Sequence, residues 1–290
     1  MNPAHARVNG YNVQPMSHLD LAVLGSGNMG RALIGGLLRQ GTRPERIRVG
    51  EPSAQARQAL EREFGVAATA DNITAVRDAN VVVVAVKPQD VAAVLKPLAP
   101  EFARARPVVL SVAAGVRIAA LRAWCGDRIP VIRAMPNRPA LVGAGVSGLY
   151  APTDVAAAQV DLIEHIMGSV GEVVRVETEA GLDVVTALSG SGPAYFFLLA
   201  ELLAEAGGRL GLPAPAAHRL SVATLYGAGL LAHSGCGDLP QLRAEVTSKG
   251  GTTEAALRAF AAADLAGIVE RAVEAAAARS RELAQQYDAD

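Results

Sequence analysis

The residues whose types and spacing best suit chemistry form a glycine-rich stretch near the N-terminus. An apolar run, Leu19–Leu24, leads into a G-x-G-x-x-G spacing, and the apolar residues of Arg31–Gln40 then repeat with a helical period. This strand–turn–helix context predicts that the glycine turn binds a dinucleotide. The residues predicted to contact the dinucleotide are Gly25, Ser26, Gly27, Asn28, Met29 and Gly30.

Each glycine of this turn has a separate role in the prediction. Gly25 would permit the tight turn, Gly27 would let the backbone approach a pyrophosphate, and Gly30 would let helix and strand pack closely. The following helix presents free N–H groups and a positive dipole end, and both attract an anion. Glycine turns also occur for purely structural reasons, but a position between strand and helix favours dinucleotide binding.

The ends of later predicted strands add candidate cofactor contacts. Val81–Val86 is the clearest strand, and its carboxyl end lies where open α/β sheets bind ligands. Glu51 follows a second predicted strand, Arg46–Gly50, near the position where a carboxylate meets the adenosine ribose hydroxyls. A solvated loop glutamate is an equally open interpretation. Ser53 is predicted to cap the helix that runs through Phe64.

Two polar, glycine-rich stretches interrupt the alanine-rich C-terminal half. They are Ser189–Tyr195, with Pro193 at a first helical position, and Thr247–Thr253. Ordinary capped helix starts explain either stretch alone. Two of them in a chain with a dinucleotide site favour convergence on a small anionic substrate.

The order of elements predicts two domains. Apolar runs alternate with helical patterns up to residue 177, which is typical of an α/β Rossmann-like domain with a largely parallel sheet. Helical patterns follow, predicting an all-α C-terminal dimerisation domain, because their Ala- and Gly-rich faces suit close packing across a subunit boundary. The predicted divisions are a flexible tail at 1–18, a dinucleotide-binding domain at 19–177 and a helical substrate-binding domain at 178–290.

Composition excludes several classes of function. The 290 residues are 51% apolar and 19% charged, with a net charge of −1, so we expect no nucleic-acid or membrane partner. Cys125 and Cys236 lie far apart and the five histidines form no ligand pair, so we expect no disulfide and no metal. The N-terminus has no signal-peptide pattern and no apolar run reaches transmembrane length, which predicts a soluble cytoplasmic protein.

The motifs resemble those of the pyrroline-5-carboxylate reductase family from about Leu19 to Glu282. In chain order they are GSGNMG at 25–30, AVKP at 85–88, AAGV at 113–116, RAMPN at 133–137, SGSGPAY at 189–195 and TSKGGTT at 247–253. The resemblance implies a Rossmann domain and a helical domain that interleaves with its partner's in a homodimer, which in some members assembles into a decamer. It also implies reduction of L-1-pyrroline-5-carboxylate to L-proline, the last step of proline biosynthesis, with NADPH and/or NADH as cofactor.

The resemblance also assigns contacts by position. The cofactor contacts that it implies outside the glycine turn are Asn72, Ala85, Val86, Lys87, Pro88, Val112, Ala113 and Ala114. The substrate contacts that it implies are Glu179, Thr252 and Thr253. The chain departs from the family at three positions. Arg138 stands where the family usually has Thr, Lys249 where it often has Pro, and Glu245 where some relatives have Asn. We expect altered loop geometry at the first two and no Asn-like substrate contact at the third.

The implied reaction needs little from side chains, because a protonated cyclic imine is already electrophilic. We expect the amides of Gly251–Thr253 to bind the substrate carboxylate and the Thr253 hydroxyl to meet the ring nitrogen as the catalytic residue. Ser189 and Ser191 would support the loop at the substrate site. Cofactor preference should be weak, because Glu51 repels a 2′-phosphate whereas Ser53 and Arg57 suit one.

Two other functions fit parts of the sequence. A β-hydroxyacid dehydrogenase shares the glycine turn and a helical second domain, but it needs a catalytic lysine in that domain. The helical half has only Lys249, inside the second polar turn. A non-catalytic NAD(P)-binding regulator would keep the glycine turn but would have no use for the two polar turns.

Overall fold

A computed structural model describes residues 19–287, and an eight-stranded sheet dominates their N-terminal half. The strands are β1 Leu21–Leu24, β2 Ile47–Gly50, β3 Ala67–Thr69, β4 Val81–Val84, β5 Val108–Ser111, β6 Val131–Met135, β7 Gly145–Tyr150 and β8 Gly171–Arg175. Their order across the sheet is β3-β2-β1-β4-β5-β6-β7-β8. The predicted tail, residues 1–18, lies outside the described residues.

The sheet is parallel except at one pairing. β1 lies between β2 and β4 with Leu21 opposite both Ile47 and Val81, whereas β7 runs antiparallel to β6. All four residues of β1 and all four of β4 are buried, as expected for central strands covered on both faces. The predicted Rossmann-like fold with a largely parallel sheet is confirmed.

Helices cover both faces of this sheet. They are α1 Asn28–Arg39, α2 Ala54–Phe64, α3 Asn72–Val76, α4 Val91–Leu95, α5 Ala99–Ala105, α6 Ile118–Cys125 and α7 Ala157–Gly168. Ser53 caps α2 by accepting a hydrogen bond from Ala56 N, as predicted, and Asp71 caps α3. α1 buries Leu33, Ile34 and Leu37 in the core against the sheet.

Several element boundaries differ from the predictions. β1 begins at Leu21 rather than Leu19, and β4 ends at Val84, so that Ala85 and Val86 leave the strand. α1 begins at Asn28 rather than Arg31, because Gly27 already adopts the extended N-cap conformation. β8 and α7 were not predicted, since neither has a distinctive apolar run in its sequence.

The C-terminal half is helical, also as predicted. Its helices are α8 Gly181–Val185, α9 Gly192–Arg209, α10 Ala214–His233, α11 Leu239–Glu245, α12 Thr252–Ala262 and α13 Leu265–Tyr287. α9 packs against α10, and α13 packs against α8, where Ser280 Oγ donates to Asp183 Oδ1 at 2.6 Å. β8 ends at Arg175 and α8 begins at Gly181, so the predicted domain boundary at residues 177 and 178 falls between them. The boundary itself stays a prediction.

Large apolar side chains of these helices lie exposed. Phe196 and Phe197 on α9 are each 60% exposed, and Leu231 on α10 and Ile268 on α13 are about half exposed. The stretch Gly181–Arg209 is long and apolar enough to cross a membrane by length and composition, with 17% of its apolar window buried. The expectation that no run reaches this length is therefore wrong, because a π-helical turn joins α8 and α9 into one helical stretch.

The packing of α1 predicts the effect of a core truncation. Leu33→Ala should lower the free energy of unfolding by about 2–5 kcal/mol, because Leu33 is fully buried against the sheet. Urea unfolding measures the change. The control Gln55→Ala, on the exposed face of α2, should stay within about 0.5 kcal/mol of the wild type. Equal losses in the two variants would show that α1 does not pack as described.

Candidate functional site

The glycine turn is shaped by a close approach between neighbouring loops. Gly25 has φ +95°, and its N–H donates to Gly50 O at 2.9 Å. A Cβ at Gly25 would meet Ala85 O at 2.9 Å and Val86 Cγ1 at 2.8 Å. A Cβ at Gly30 would overlap the carbonyl oxygen of Gly25. Only glycine fits at Gly25 and Gly30, as their predicted roles require.

Gly27 has free space around its Cα, in contrast to Gly25 and Gly30. A Cβ there would meet no atom within 4 Å, and Gly27 is the N-cap of α1 without a side-chain hydrogen bond. The N–H groups of Asn28, Met29 and Gly30 form the first helical positions, where no intrahelical acceptor exists. Free N–H groups at an unobstructed helix N-terminus fit a pyrophosphate.

The loops after β4 and β5 lie at the same edge of the sheet. Ala85 N donates to Leu24 O at 2.8 Å, and Val112 N donates to Val84 O at 3.1 Å. Ala113 N donates to Ser111 Oγ at 3.3 Å. The predicted contacts Ala85–Pro88 and Val112–Ala114 therefore adjoin the glycine turn, although their role as cofactor ligands stays a prediction.

The ends of β2 and β3 border the same edge. Glu51 Oε2 accepts hydrogen bonds from Ser26 N at 3.2 Å and Ser26 Oγ at 2.7 Å. Glu51 Oε1 accepts from Ser53 N at 2.9 Å. Asn72 lies against Gly50, where a Cβ would overlap its Oδ1. The interpretation of Glu51 as a freely solvated loop residue is therefore wrong.

A cavity of about 300 Å³ lies where these loops face the helical half. Pro88 and Ala114 line it from the sheet side, Ser191 from the start of α9, and Arg279 and Tyr287 from α13. Its walls thus combine both predicted cofactor loops with the first predicted polar stretch. A cavity of this volume is at the lower end of small-molecule sites.

The first polar stretch, Ser189–Tyr195, begins inside a π-helical turn, Thr186–Gly190, and continues into the first turn of α9. Pro193 has no N–H and cannot bond to the Ser189 carbonyl one helical turn before it. Asn137 Nδ2 donates to that carbonyl instead, at 3.1 Å. The Ser189 hydroxyl donates back to Val185 O at 3.0 Å. Pro193 does lie in the first turn of α9, as predicted, whereas the supporting role expected of Ser189 at the substrate site stays a prediction.

A partly buried ion pair joins the sheet to the helical half. Glu179 Oε1 accepts from Arg133 Nη1 on β6 and from Ile118 N at the start of α6, both at 2.7 Å. The Arg133 side chain is 9% exposed and that of Glu179 is 26% exposed. Sequence reasoning missed Arg133 and Asn137 as site-forming residues, although both belong to the RAMPN motif. The substrate contact implied for Glu179 stays a prediction.

The second polar stretch lies apart from this cavity. Among the residues that the structure describes, none of Thr247–Thr253 lines the cavity, and the helix that follows, α12, packs mainly on α13. α12 begins at Thr252, two residues before the predicted start, and Gly251 provides no side-chain cap. Gly250 N already donates to Glu254 Oε2 at 2.6 Å. The N–H groups of Thr252 and Thr253 remain at first-turn positions that lack intrahelical acceptors.

The sequence is similar to proteins of known family over nearly its whole length. Residues 179–283 match a family model described as pyrroline-5-carboxylate reductase dimerisation. A pyrroline-5-carboxylate reductase of Pseudomonas aeruginosa is 45% identical over 271 residues, which cover 93% of this chain and 99% of the relative. The chain belongs to the pyrroline-5-carboxylate reductase family. Residues 20–115 also match a model described as NADP oxidoreductase coenzyme F420-dependent.

Solved structures of this reductase family have the same fold. The pyrroline-5-carboxylate reductase of Coxiella burnetii is 38% identical with a TM-score of 0.89, and the match covers 91% of this chain and 98% of that one. The Plasmodium falciparum pyrroline carboxylate reductase with NADP bound is 27% identical with a TM-score of 0.79, over 92% and 98% of the two chains. The reductase fold and an NAD(P) cofactor are therefore established for this chain.

The partly buried ion pair of the reductase predicts a stability effect. Arg133→Met should lower the free energy of unfolding by about 1–3 kcal/mol, because it leaves a partly buried Glu179 without its cation. Arg104→Met is the matched control: Arg104 is 55% exposed, so losing its pairs with Asp78 and Glu101 should change the free energy of unfolding much less, because solvent screens exposed ion pairs. Urea unfolding compares the two variants.

Adding Glu179→Gln to Arg133→Met should restore part of the loss, because the uncompensated, partly buried charge is removed. A double variant less stable than Arg133→Met would contradict this account of the pair.

Proposed function

We propose that this chain reduces L-1-pyrroline-5-carboxylate to L-proline in the cytoplasm, as a homodimer or a larger assembly of dimers. The observation that carries the proposal is the cavity between the cofactor loops and the helical half, in a chain whose relatives carry the reductase name over 90% or more of its length. The test is an assay that follows oxidation of NADH or NADPH when the cyclic imine is added.

The cofactor half of the proposed site is complete within one chain. The open N-terminus of α1 at Gly27 receives the pyrophosphate, and the loops Ala85–Pro88 and Val112–Ala114 carry the nicotinamide end toward the cavity. A bound reduced nicotinamide supplies the hydride. The chain then has to bring the imine carbon to that end and exclude water, which the walls formed by Pro88 and Tyr287 support.

The substrate half is completed by a second copy of the chain. Thr247–Thr253 is remote from the cavity of its own chain, whereas the surrounding helices expose large apolar side chains and match a dimerisation model. Burying those side chains against the same helices of a second copy brings the turn of one chain toward the cavity of the other. A self-complementary interface of this kind builds two equivalent sites.

The turn of the second copy binds the substrate through backbone groups and one hydroxyl. The first-turn N–H groups of Thr252 and Thr253, with the helix dipole behind them, bind the carboxylate. Thr253 Oγ1 accepts a hydrogen bond from the protonated ring nitrogen, which keeps the imine carbon electrophilic. After hydride transfer the nitrogen is a neutral secondary amine, and it takes a proton from water on release.

The two rival functions need features that the described residues do not supply. A β-hydroxyacid dehydrogenase would need a lysine in the cavity. The helical half contributes one cation to the cavity lining, Arg279, and no lysine. Within residues 178–287 the one lysine is Lys249, which belongs to the second polar stretch and does not line the cavity. A non-catalytic regulator would bind the cofactor but leave it unoxidised when the imine is added. The oxidation assay separates both rivals from a reductase.

Replacing Thr253 tests its assigned role. Thr253→Ala should lower kcat/KM for the imine about ten- to hundredfold, because a hydroxyl hydrogen bond to the reacting ring is lost. Cofactor affinity and Tm should barely change. The control Thr153→Ala lies in the exposed turn after the antiparallel strand β7, at the opposite edge of the sheet, and should keep normal kinetics. A lower Tm with normal kinetics in Thr253→Ala would show that the turn is only a helix start.

Subunit mixing tests whether the turn acts on the partner. Gly27→Leu should fold, since a side chain there meets open space, but should block the cofactor. A heterodimer of Gly27→Leu with Thr253→Ala, isolated with two affinity tags, combines one intact cofactor half and one intact turn in a single site. It should recover about half of the wild-type activity per dimer. If each turn served its own chain, the heterodimer would be no more active than the Thr253→Ala homodimer.

A further inference from the structure

A serine on the wall of the cavity donates its hydroxyl proton to a carboxylate behind that wall. Ser280 of α13 lines the cavity and is 6% exposed. Its Oγ donates to Asp183 Oδ1 on α8 at 2.6 Å, a length typical of a hydrogen bond to an ionised carboxylate. The part of the cavity lining that the structure describes contains no carboxylate. Asp183 therefore reaches the cavity through Ser280.

The direction of the Ser280 proton differs from that of many serines and threonines inside helices. Such a hydroxyl often donates to the carbonyl one helical turn earlier. Thr186, in the same lining, does so with Leu182 O at 2.7 Å. Ser280 donates to another helix instead, and the carboxylate fixes where its proton lies. What remains for a ligand are the lone pairs of Oγ, so Ser280 accepts a hydrogen bond from the cavity and donates none to it.

We infer that Ser280 accepts a hydrogen bond from the ring nitrogen of the substrate, and that Asp183 is the positioning residue that keeps Ser280 an acceptor. The inference rests on the proposed function and deepens it, because it adds a group from the chain that binds the cofactor to Thr253 of the second copy. The iminium has one N–H, which the two hydroxyl oxygens share. Protonated proline has two, one for each oxygen.

The charges around this pair are already matched with one another. Arg279, next to Ser280 on α13, lines the cavity and pairs with Glu282 at 2.8 Å. Arg133 on β6, a strand that contacts α8, pairs with Glu179. Within residues 19–287 the salt bridges thus join both arginines to carboxylates other than Asp183. A negative charge behind an acceptor favours a positively charged donor over a neutral ring.

A hydrogen bond that only joins α8 to α13 would have the same length, and the two explanations differ in the ligand that the cavity prefers. An acceptor prefers a ring with an N–H. A ring oxygen places its own lone pairs against those of Ser280, which penalises that ligand. If the bond only joins two helices, removing it lowers stability and leaves the ligand preference unchanged.

The test compares two ligands by calorimetry with the oxidised cofactor bound. They are L-proline and tetrahydrofuran-2-carboxylate, in which oxygen replaces the ring nitrogen. Wild type should bind L-proline more tightly, and Ser280→Ala should reduce the ratio of the two Kd values about tenfold, because a hydrogen bond to a charged group is lost. Asp183→Asn should reduce the ratio chiefly through tighter binding of the ether. The new amide can donate to Ser280 Oγ and free its proton for the ring oxygen.

Ser221→Ala is the matched control. Ser221 is a buried serine of α10 that donates to Ala200 O on α9 and does not line the cavity. Its replacement should lower Tm as Ser280→Ala does, but it should leave the Kd ratio unchanged.

An unchanged Kd ratio in Ser280→Ala, or in Asp183→Asn, would overturn the inference. If wild type still oxidises NADH or NADPH when the imine is added, the proposed function survives that result. A wild type that binds neither ligand and oxidises neither cofactor overturns the proposed function and the inference together.

Discussion

The position of the helical half relative to the sheet depends on how the two are attached to each other. The Arg133–Glu179 ion pair makes this attachment, with Ile118 N as a third partner. Two charges taken out of water repay their desolvation only when the geometry is good and further hydrogen bonds are present. Glu179 meets both conditions, so the pair mainly fixes orientation: it sets where the helical half begins relative to β6 and α6.

A second contact between the sheet and the helical half lies next to the cavity. The backbone cannot bond Ser189 O because Pro193 lacks an N–H, and Asn137 from the loop after β6 takes that position. The Asn137 side-chain oxygen accepts from Val146 N on β7, so the amide is fixed from both ends. The π-helical turn is thereby held against the sheet, which is consistent with the tendency of such turns to occur at functional sites.

The sequence predicted the parts of the structure that rest on local chemistry. An apolar run marked β1 and a β-branched run marked β4, and the glycine spacing marked a turn in which Gly25 and Gly30 have no room for a side chain. Contacts between distant residues carry no such signal: nothing in the sequence indicates that Arg133 pairs with Glu179, 46 residues away. The π-helical form of residues 186–190 was likewise not predicted, and the contact of Asn137 with the Ser189 carbonyl joins residues 52 positions apart.

The two halves of the proposed site differ in how much of the chain they need. The proposed cofactor half consists of strand ends in one sheet, where backbone hydrogen bonds such as Ala85 N to Leu24 O hold the loops so close that a Cβ at Gly25 would lie 2.9 Å from Ala85 O. The substrate half relies on a turn whose own chain places it away from the cavity, among helices with exposed apolar faces. If the proposed cofactor site is complete in each chain and the proposed substrate site needs two chains, assembly is a condition for turnover but not for cofactor binding. The same hydrophobic burial that stabilises the dimer would then position the carboxylate-binding turn, so that one interface serves both stability and catalysis.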